Sequence, residues 1–236
     1  MGIRASLCTF LLLMIALAPL ANADTLNLSS NSAAWSVSTS ALIFGSATSQ
    51  VSSTGVFAGL PATTATFSDL SIGSQPVGSV FSDNGFLTIG GFSFDLTYIN
   101  PGTGDSALCS ISPPMANQSC TPNDPGTYLS AVTWNNTSAT SSDLSFVVSG
   151  TVTGPGLAGP SSFTGIINLD NPEPYQSSFA LAWLENGPNF TIGGSDSSAT
   201  FDVTPAPPTV PEPSSLLLLG TGLAALAGML KRSFRK

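Results

Sequence analysis

The sequence from residue 24 to about residue 204 predicts an all-β fold, an antiparallel β-sandwich of the jelly-roll-like kind. Three observations predict it: several short stretches alternate apolar and polar residues, turn-forming Asn, Asp, Pro and Gly recur between them, and no window shows a sustained helical period. Alternation at period two places successive side chains on opposite faces of a strand, and frequent turns favour antiparallel neighbours. Many short strands of this kind are typical of sandwiches.

The chain begins with the pattern of a secretory signal peptide. Arg4 supplies a short positive region, Leu7–Ala18 form an apolar stretch, and the small residues Ala21 and Ala23 mark a cleavage site directly before Asp24. Signal peptidase is therefore an expected partner. The mature chain is expected to start at Asp24 and to lie outside the cytoplasm.

The strand predictions follow in chain order. The Thr-rich run Ala62–Thr66 suits a half-solvated sheet, because β-branched hydroxyl residues pack well on a pleated surface. The alternating stretches are Phe92–Tyr98, Leu144–Val148, Phe179–Trp183 and Phe201–Val203. Gly154–Gly159 matches a glycine-rich nucleotide-loop expression, but Pro155 and Pro160 remove backbone donors, so we interpret this run as a turn between strands.

Two cysteines stay in the exported part, since Cys8 leaves with the signal peptide. Cys109 and Cys120 lie in a Pro- and Ser-rich stretch, residues 101–125, which either divides two sheets or forms one decorated loop; we expect a single domain. In an oxidising compartment two remaining cysteines most simply pair, so a disulfide is predicted. A metal site is the weaker interpretation, because two thiolates without His offer few soft ligands.

The charge composition excludes several functions. Residues 24–209 contain no Lys, Arg or His but hold twelve of the thirteen acidic residues. Nucleic acids attract proteins through Lys and Arg, so nucleic-acid binding is excluded. A serine triad or a cysteine–histidine pair cannot be built from this stretch, and only carboxylates remain for acid–base chemistry. We therefore expect a protein that is not an enzyme, with a carboxylate-only glycosidase as the enzymatic alternative.

Two kinds of ligand remain open. Trp134, followed by Asn135-Asn136-Thr137, is the candidate glycan contact, because an exposed aromatic ring beside polar groups can stack on a sugar. Core or edge packing is the preferred interpretation, since aromatic side chains dominate the energetics of burial. No cofactor is expected, but calcium is left open, since loop carboxylates offer oxygen ligands without the spacing of an EF-hand. The carboxylates concerned are Asp105, Asp124, Asp170, Glu173 and Asp196.

The last 27 residues, VPEPSSLLLLGTGLAALAGMLKRSFRK, combine three features. Five prolines within residues 205–213 favour an extended spacer, and residues 214–230 carry no charge and would span about 25 Å as a helix. Basic residues favour the cytoplasmic side of a membrane, which leaves the rest of the chain outside. The basic residues are Lys231, Arg232, Arg235 and Lys236. The predicted organisation is a signal peptide (1–23), an exported β-domain (24–204), a Pro-rich linker (205–213), a transmembrane helix (214–230) and a cytoplasmic tail (231–236).

The order of these features resembles a known sorting signal. Val210-Pro211-Glu212-Pro213-Ser214, followed by the apolar span and Lys231-Arg232, looks like the PEP-CTERM signal of Gram-negative bacteria that make extracellular polysaccharide. The resemblance covers the last tenth of the chain. It implies that an exosortase, a membrane-embedded enzyme with a catalytic cysteine, processes the protein, which is then released or attached outside the cell. A plain membrane anchor behind a proline-rich linker is the alternative.

Three roles fit an exported β-protein with this signal. The preferred hypothesis is a structural or adhesive protein at the cell surface or in an extracellular matrix, within exopolysaccharide or a biofilm. A carbohydrate-binding module and a carboxylate-only glycosidase are the alternatives, because a β-sandwich hosts all three. Extracellular polysaccharide is therefore an expected partner.

Overall fold

Strand formation in the computed structural model follows the period-two pattern of the sequence. The structure describes residues 23–30, 34–45, 47–110, 112–178, 191–206 and 219–223. Every second side chain is buried along residues 142–153, and the same alternation runs through residues 161–171. Such alternation arises when one face of a strand packs on the core and the other meets solvent. The prediction of an all-β antiparallel fold is confirmed.

Fourteen strands occur among the described residues. They are β1 (Asp24–Ser30), β2 (Trp35–Ser38), β3 (Ala41–Phe44), β4 (Ala47–Ser53), β5 (Thr63–Phe67), β6 (Leu70–Ser71), β7 (Asp83–Ile89), β8 (Phe92–Ile99), β9 (Ser119–Cys120), β10 (Thr133–Asn136), β11 (Ser142–Thr153), β12 (Ser161–Asn171), β13 (Thr191–Gly194) and β14 (Asp196–Thr204). Short 3-10 helices lie at Gly55–Phe57, Ser106–Ser110 and Tyr128–Ala131. A helical turn occupies residues 175–178.

The strands form two sheets. The smaller has the order β13-β2-β3-β6, and the larger has the order β12-β14-β1-β4-β5-β7-β8-β11-β10-β9 with an additional β11–β12 pairing. Eight strands, from β12 round to β11, therefore close into a ring, and β10 and β9 extend it from β11. This closure corrects the jelly-roll-like sandwich, in which two sheets face each other with open edges. Alternation could not distinguish the two arrangements, because inner and outer faces alternate in both.

The ring has one side of long strands and one side of short pairings. On the long side, β11 pairs with β12 from Ser142–Asn171 to Val152–Ser161, and β14 then pairs with β12 and β1 over most of its length. On the other side, β4 and β5 share three residue pairs, and β5 and β7 share two. We call the outer surface of β11, β12, β14 and β1 the four-strand face.

Aromatic side chains fill the inside of the ring. The Phe94 ring lies 5.1 Å from the Phe201 ring and 5.2 Å from the Phe163 ring, measured between centroids. A Cβ at Gly165 would lie 2.6 Å from Phe201 Cδ1, so only glycine lets β12 pass this close to the cluster. The core thus depends on rings from strands that are distant in sequence.

Most of the individual strand predictions are confirmed. Phe92–Tyr98 lies in β8, Leu144–Val148 in β11 and Phe201–Val203 in β14, while Ala62–Thr66 overlaps β5. The run Gly154–Gly159 lies in the connection between β11 and β12 and is a turn, as interpreted. The stretch Phe179–Trp183 lies outside the described residues.

The chain divides into two units, Met1–Ala206 and Pro207–Lys236. Residues 101–125 belong to the first unit. In the second unit residues 219–223 are helical and exposed. Among the described residues, no helix has both the length and the apolarity needed to cross a bilayer. The predicted transmembrane helix, residues 214–230, is described only at residues 219–223.

Candidate functional site

The sorting segment leaves the first unit just after β14. The backbone N–H of Ala206 donates a hydrogen bond to Ser161 Oγ at 3.0 Å, and Ser161 Oγ donates to the carbonyl of Gly159 at 3.2 Å. Ser161 is buried and is the first residue of β12. The end of the first unit is therefore tied to the base of the neighbouring strand.

The predicted mature N-terminus lies next to this exit. Asp24 is the first residue of β1, is only 6% exposed and pairs with Val203 of β14. Thr25 Oγ1 donates to Asp202 Oδ1 at 3.0 Å, which adds a side-chain link between the two strands. The strand thus begins at the residue expected to follow cleavage. Cleavage itself stays a prediction, since residues 1–22, Ala21 among them, lie outside the described part of the chain.

The sorting motif itself lies outside the described residues. These positions are Val210, Pro211, Glu212, Pro213 and Ser214, with the basic residues Lys231, Arg232, Arg235 and Lys236.

The predicted disulfide between Cys109 and Cys120 is present, with the two Cα atoms 5.1 Å apart. Cys120 is buried in β9, which pairs with β10, and Cys109 lies in the second 3-10 helix. The Tyr175 hydroxyl donates to the Leu108 carbonyl at 3.1 Å beside it. The bond therefore fastens the Pro-rich stretch to the end of the large sheet, and closing so short a loop contributes about 2–3 kcal/mol in the chain-entropy picture.

Trp134 is a core residue, which corrects its assignment as the candidate glycan contact. It is 0% exposed on β10, where it pairs with Leu144 and Cys120. A ring that stacks on a sugar must present a free face, so the core packing that the sequence favoured is the arrangement observed. Two residues further along β10, Asn136 Oδ1 accepts a hydrogen bond from the Tyr175 backbone N–H at 3.1 Å, so a segment from far along the chain bonds to this strand.

Three carboxylates that lie up to 53 positions apart in the sequence lie side by side on neighbouring strands. Asp143 of β11 pairs with Asp170 of β12, which pairs with Asp196 of β14. Burial raises the pKa of Asp143, and the charge of Asp170 raises it further. Burial and then the charge of Asp196 raise the pKa of Asp170. We call these three residues the acidic row.

The structure does not identify a calcium site among the described residues. Asp105 Oδ1 accepts a hydrogen bond from the Ala107 N–H at 3.0 Å, and the Asp124 carboxylate accepts one from Thr127 Oγ1 at 3.2 Å, so both acids cap local turns. Within the described ranges, no group of three or more His, Cys, Asp or Glu is placed to hold a metal ion. Calcium binding remains an expectation.

Replacing Asp170 in the acidic row should stabilise the protein at neutral pH. A carboxyl pKa raised by folding means that the folded state holds the proton more tightly, so stability falls as pH rises from the unfolded value of about 3.8 through the raised folded values. Asp170→Asn removes a like charge from two cross-strand pairs and should increase the free energy of unfolding at pH 7 by roughly 0.2–1 kcal/mol.

Urea unfolding at pH 3 and pH 7 measures this effect, with the exposed loop residue Glu173 as the control in Glu173→Gln. The gain from Asp170→Asn should be present at pH 7 and small at pH 3, where Asp170 in the wild type is protonated. A loss of stability at pH 7, or an equal change at both pH values, would contradict the assigned repulsion.

The first unit is an all-β domain, and the C-terminal segment that follows Ala206 contains the candidate sorting signal. Residues 209–233 match the family model of the PEP-CTERM protein-sorting motif, so the chain carries this motif. The resemblance to a PEP-CTERM signal that the sequence indicated is therefore confirmed. The match includes Val210–Ser214 and Lys231-Arg232. The motif implies an exported protein that an exosortase-type enzyme processes. No curated protein and no solved structure matches the chain.

Proposed function

We propose that the exported protein has a structural or adhesive role at the cell surface, within exopolysaccharide, and that its partner is a neutral polysaccharide. The observation that carries this proposal is the composition of the four-strand face. Nine of its twelve central outward side chains are hydroxyls or amides, arranged in three cross-strand rows. The rows are Ser149-Thr164-Asp202-Thr25, Val147-Ile166-Thr200-Asn27 and Ser145-Asn168-Ser198-Ser29.

Such rows suit a partner that repeats hydroxyl groups along its length. Neighbouring strands lie about 4.8 Å apart and alternate residues of one strand about 6.7 Å apart, so the side chains form a regular grid. Each hydroxyl can donate and accept, as each sugar hydroxyl can. Ile166, 45% exposed in the middle row, adds an apolar contact for the face of a sugar ring.

Charge favours a neutral polymer over an acidic one. Residues 24–209 hold twelve carboxylates and no basic side chain, so a polyanionic polysaccharide would be repelled at every approach. A neutral chain meets no such barrier, since Asp202 is the sole charged residue in the three rows.

A carbohydrate-binding module and a glycosidase are the two alternative functions. A carbohydrate-binding module would use the four-strand face in place of the buried Trp134. A glycosidase needs two carboxyl groups about 5–9 Å apart across a cleft, whereas the acidic row lies on the outer surface of adjacent strands. We therefore place binding and adhesion ahead of hydrolysis.

The test compares producing cells that lack the protein with cells that carry it again as wild type or as a variant. Loss of the protein should reduce cell aggregation and the polysaccharide retained on cells. Thr164→Val/Thr200→Val removes two hydroxyls from the grid while keeping β-branched shape, and should lower retention severalfold. The control is Thr66→Val/Thr88→Val, a cross-strand pair on the short side of the ring. Unchanged aggregation after deletion, or equal effects of both double variants, would refute the proposal.

A further inference from the structure

Tyr98 is the one tyrosine or tryptophan among the described residues that is not buried. The others, Trp35, Trp134, Tyr128 and Tyr175, are at most 4% exposed. Tyr98 lies in β8, is partly exposed, and its hydroxyl forms no hydrogen bond within the described part of the chain. Its ring can therefore stack on an apolar surface while its hydroxyl bonds to a polar group.

A β-bulge in β8 places Tyr98 on the outer surface of the ring. Ser149 of β11 pairs with Tyr98, but the next residue of β11 pairs with Leu96, so Thr97 is an extra residue. Strict alternation from the buried Leu96 would turn Tyr98 inward, and the extra residue turns it outward beside Ser149. The Thr97 hydroxyl donates to the Ser149 carbonyl at 3.2 Å and so holds the bulge. Bulges commonly re-aim a side chain next to a functional site.

Tyr98 prolongs one row of the four-strand face onto a fifth strand. The prolonged row crosses β8, β11, β12, β14 and β1, and we call it the long row. Its members are Tyr98, Ser149, Thr164, Asp202 and Thr25. Since neighbouring strands lie about 4.8 Å apart, the five strands give a line of about 19 Å. A line of this length can contact more than one sugar unit of a polymer.

Asp202 gives the long row a hydrogen-bond acceptor that is held in place. Its side chain is exposed, and Oδ1 accepts a hydrogen bond from Thr25 Oγ1 at 3.0 Å. Oδ2 takes part in no hydrogen bond within the described residues, so it is free to accept one from a ligand hydroxyl. Hydrogen bonds to an ionised acceptor are roughly twice as strong as those between neutral groups. Residues 24–209 contain no basic side chain that would compete for this carboxylate.

The Tyr98 end of the long row is its apolar end. The Phe81 N–H donates to the Thr97 carbonyl at 3.0 Å, which joins the segment before β7 to β8 next to Tyr98. This segment carries Val80, which is 83% exposed. An aromatic ring with exposed aliphatic carbon nearby matches the C–H face of a pyranose ring, whereas a carboxylate matches its hydroxyl groups. The long row therefore offers both kinds of contact at different points along one line.

We propose that the long row binds the neutral polysaccharide, with the polymer lying across the strands. One sugar ring stacks on Tyr98, and hydroxyls of a sugar further along the polymer donate hydrogen bonds to Asp202. The hydroxyls of Ser149 and Thr164 bond to the polymer between these two points. This inference rests on the proposed function and assigns the residues of the four-strand face that carry the binding.

The test measures the affinity of the mature protein, purified from producing cells, for the neutral fraction of the exopolysaccharide of the same cells. Tyr98→Ala should weaken binding about tenfold through loss of the stacked ring, and Tyr98→Phe should bind nearly as the wild type does. Asp202→Asn should weaken binding about fivefold, because a neutral acceptor replaces an ionised one. The control Asp170→Asn removes the same charge from β12 outside the long row and should leave binding unchanged.

Hydroxyl-radical labelling of the wild-type protein locates the polymer without any variant, so it decides the question even where Tyr98→Ala fails to fold. Bound polysaccharide should reduce labelling of Tyr98 and leave labelling of Met115, which is 56% exposed, unchanged. Undiminished labelling of Tyr98, or equal losses of affinity in Asp202→Asn and Asp170→Asn, would overturn the long row as the site while the proposed function stands. Wild-type protein that does not bind the polymer would overturn both.

Discussion

Replacing Pro211, Glu212 and Pro213 with three alanines is expected to abolish C-terminal processing of the protein while leaving its membrane insertion intact. These residues lie inside the matched sorting motif, residues 209–233, and just ahead of the apolar span. Alanine removes both the proline rings, which fix the backbone φ angle, and the carboxylate, so we expect an enzyme that reads the motif to lose recognition. The predicted membrane helix is a different part of the chain, and its seven leucines, from Leu216 onward, would favour insertion by roughly 2–4 kcal/mol.

Intact mass of the mature protein from the producing cell measures this outcome. Wild-type protein should lack the Ser233-Phe-Arg-Lys end, and the triple variant should retain it in the membrane fraction. Pro207→Ala/Pro208→Ala changes two prolines of the same linker outside residues 209–233 and should be processed normally. A triple variant with the wild-type mature mass would show that these residues do not direct processing.

Export and C-terminal processing, the two steps expected for this protein, were predictable from the sequence for a simple physical reason. A sorting signal of this kind is a contiguous run of residues, so Val210–Ser214 and Lys231-Arg232 can be recognised in the sequence without knowledge of the fold. The strands of the ring were visible for a similar reason, because period two is a local property. β8 and β11 were predicted from their own alternation.

What sequence reasoning missed depends on which strands become neighbours. The ring closes because β11 pairs with β12 and because β14 lies between β12 and β1. Neither pairing can be predicted from a local sequence pattern. The acidic row joins Asp143, Asp170 and Asp196 only because their strands are adjacent. Trp134 was the candidate glycan contact because polar residues follow it, but its side chain is buried, and its strand is also bonded by Tyr175, some 40 positions later. A single sequence carries no record of such pairings.

Truncating Phe94 is expected to destabilise the protein more than other aromatic changes in the ring. Phe94 is 0% exposed in β8, and its ring lies within 6.1 Å of the Phe57, Phe163 and Phe201 rings, centroid to centroid. Phe94→Ala leaves a cavity among side chains held by β12, β14 and the first 3-10 helix, and the two strands cannot close the cavity without breaking their pairings. A buried Phe→Ala change of this kind costs about 3–5 kcal/mol.

Phe81→Ala is the matched control, because Phe81 packs against the core while remaining partly exposed and should cost less. Urea unfolding of both variants measures the difference in the free energy of unfolding. Small domains have about 5–15 kcal/mol in total, so Phe94→Ala should also lower the amount of exported protein. The protein that does accumulate should still be trimmed at its C-terminus, since the matched sorting motif, residues 209–233, lies outside the first unit. Equal losses in the two variants would show that the ring interior is not organised around Phe94, and untrimmed Phe94→Ala protein would show that the exosortase requires a folded body as well as the motif.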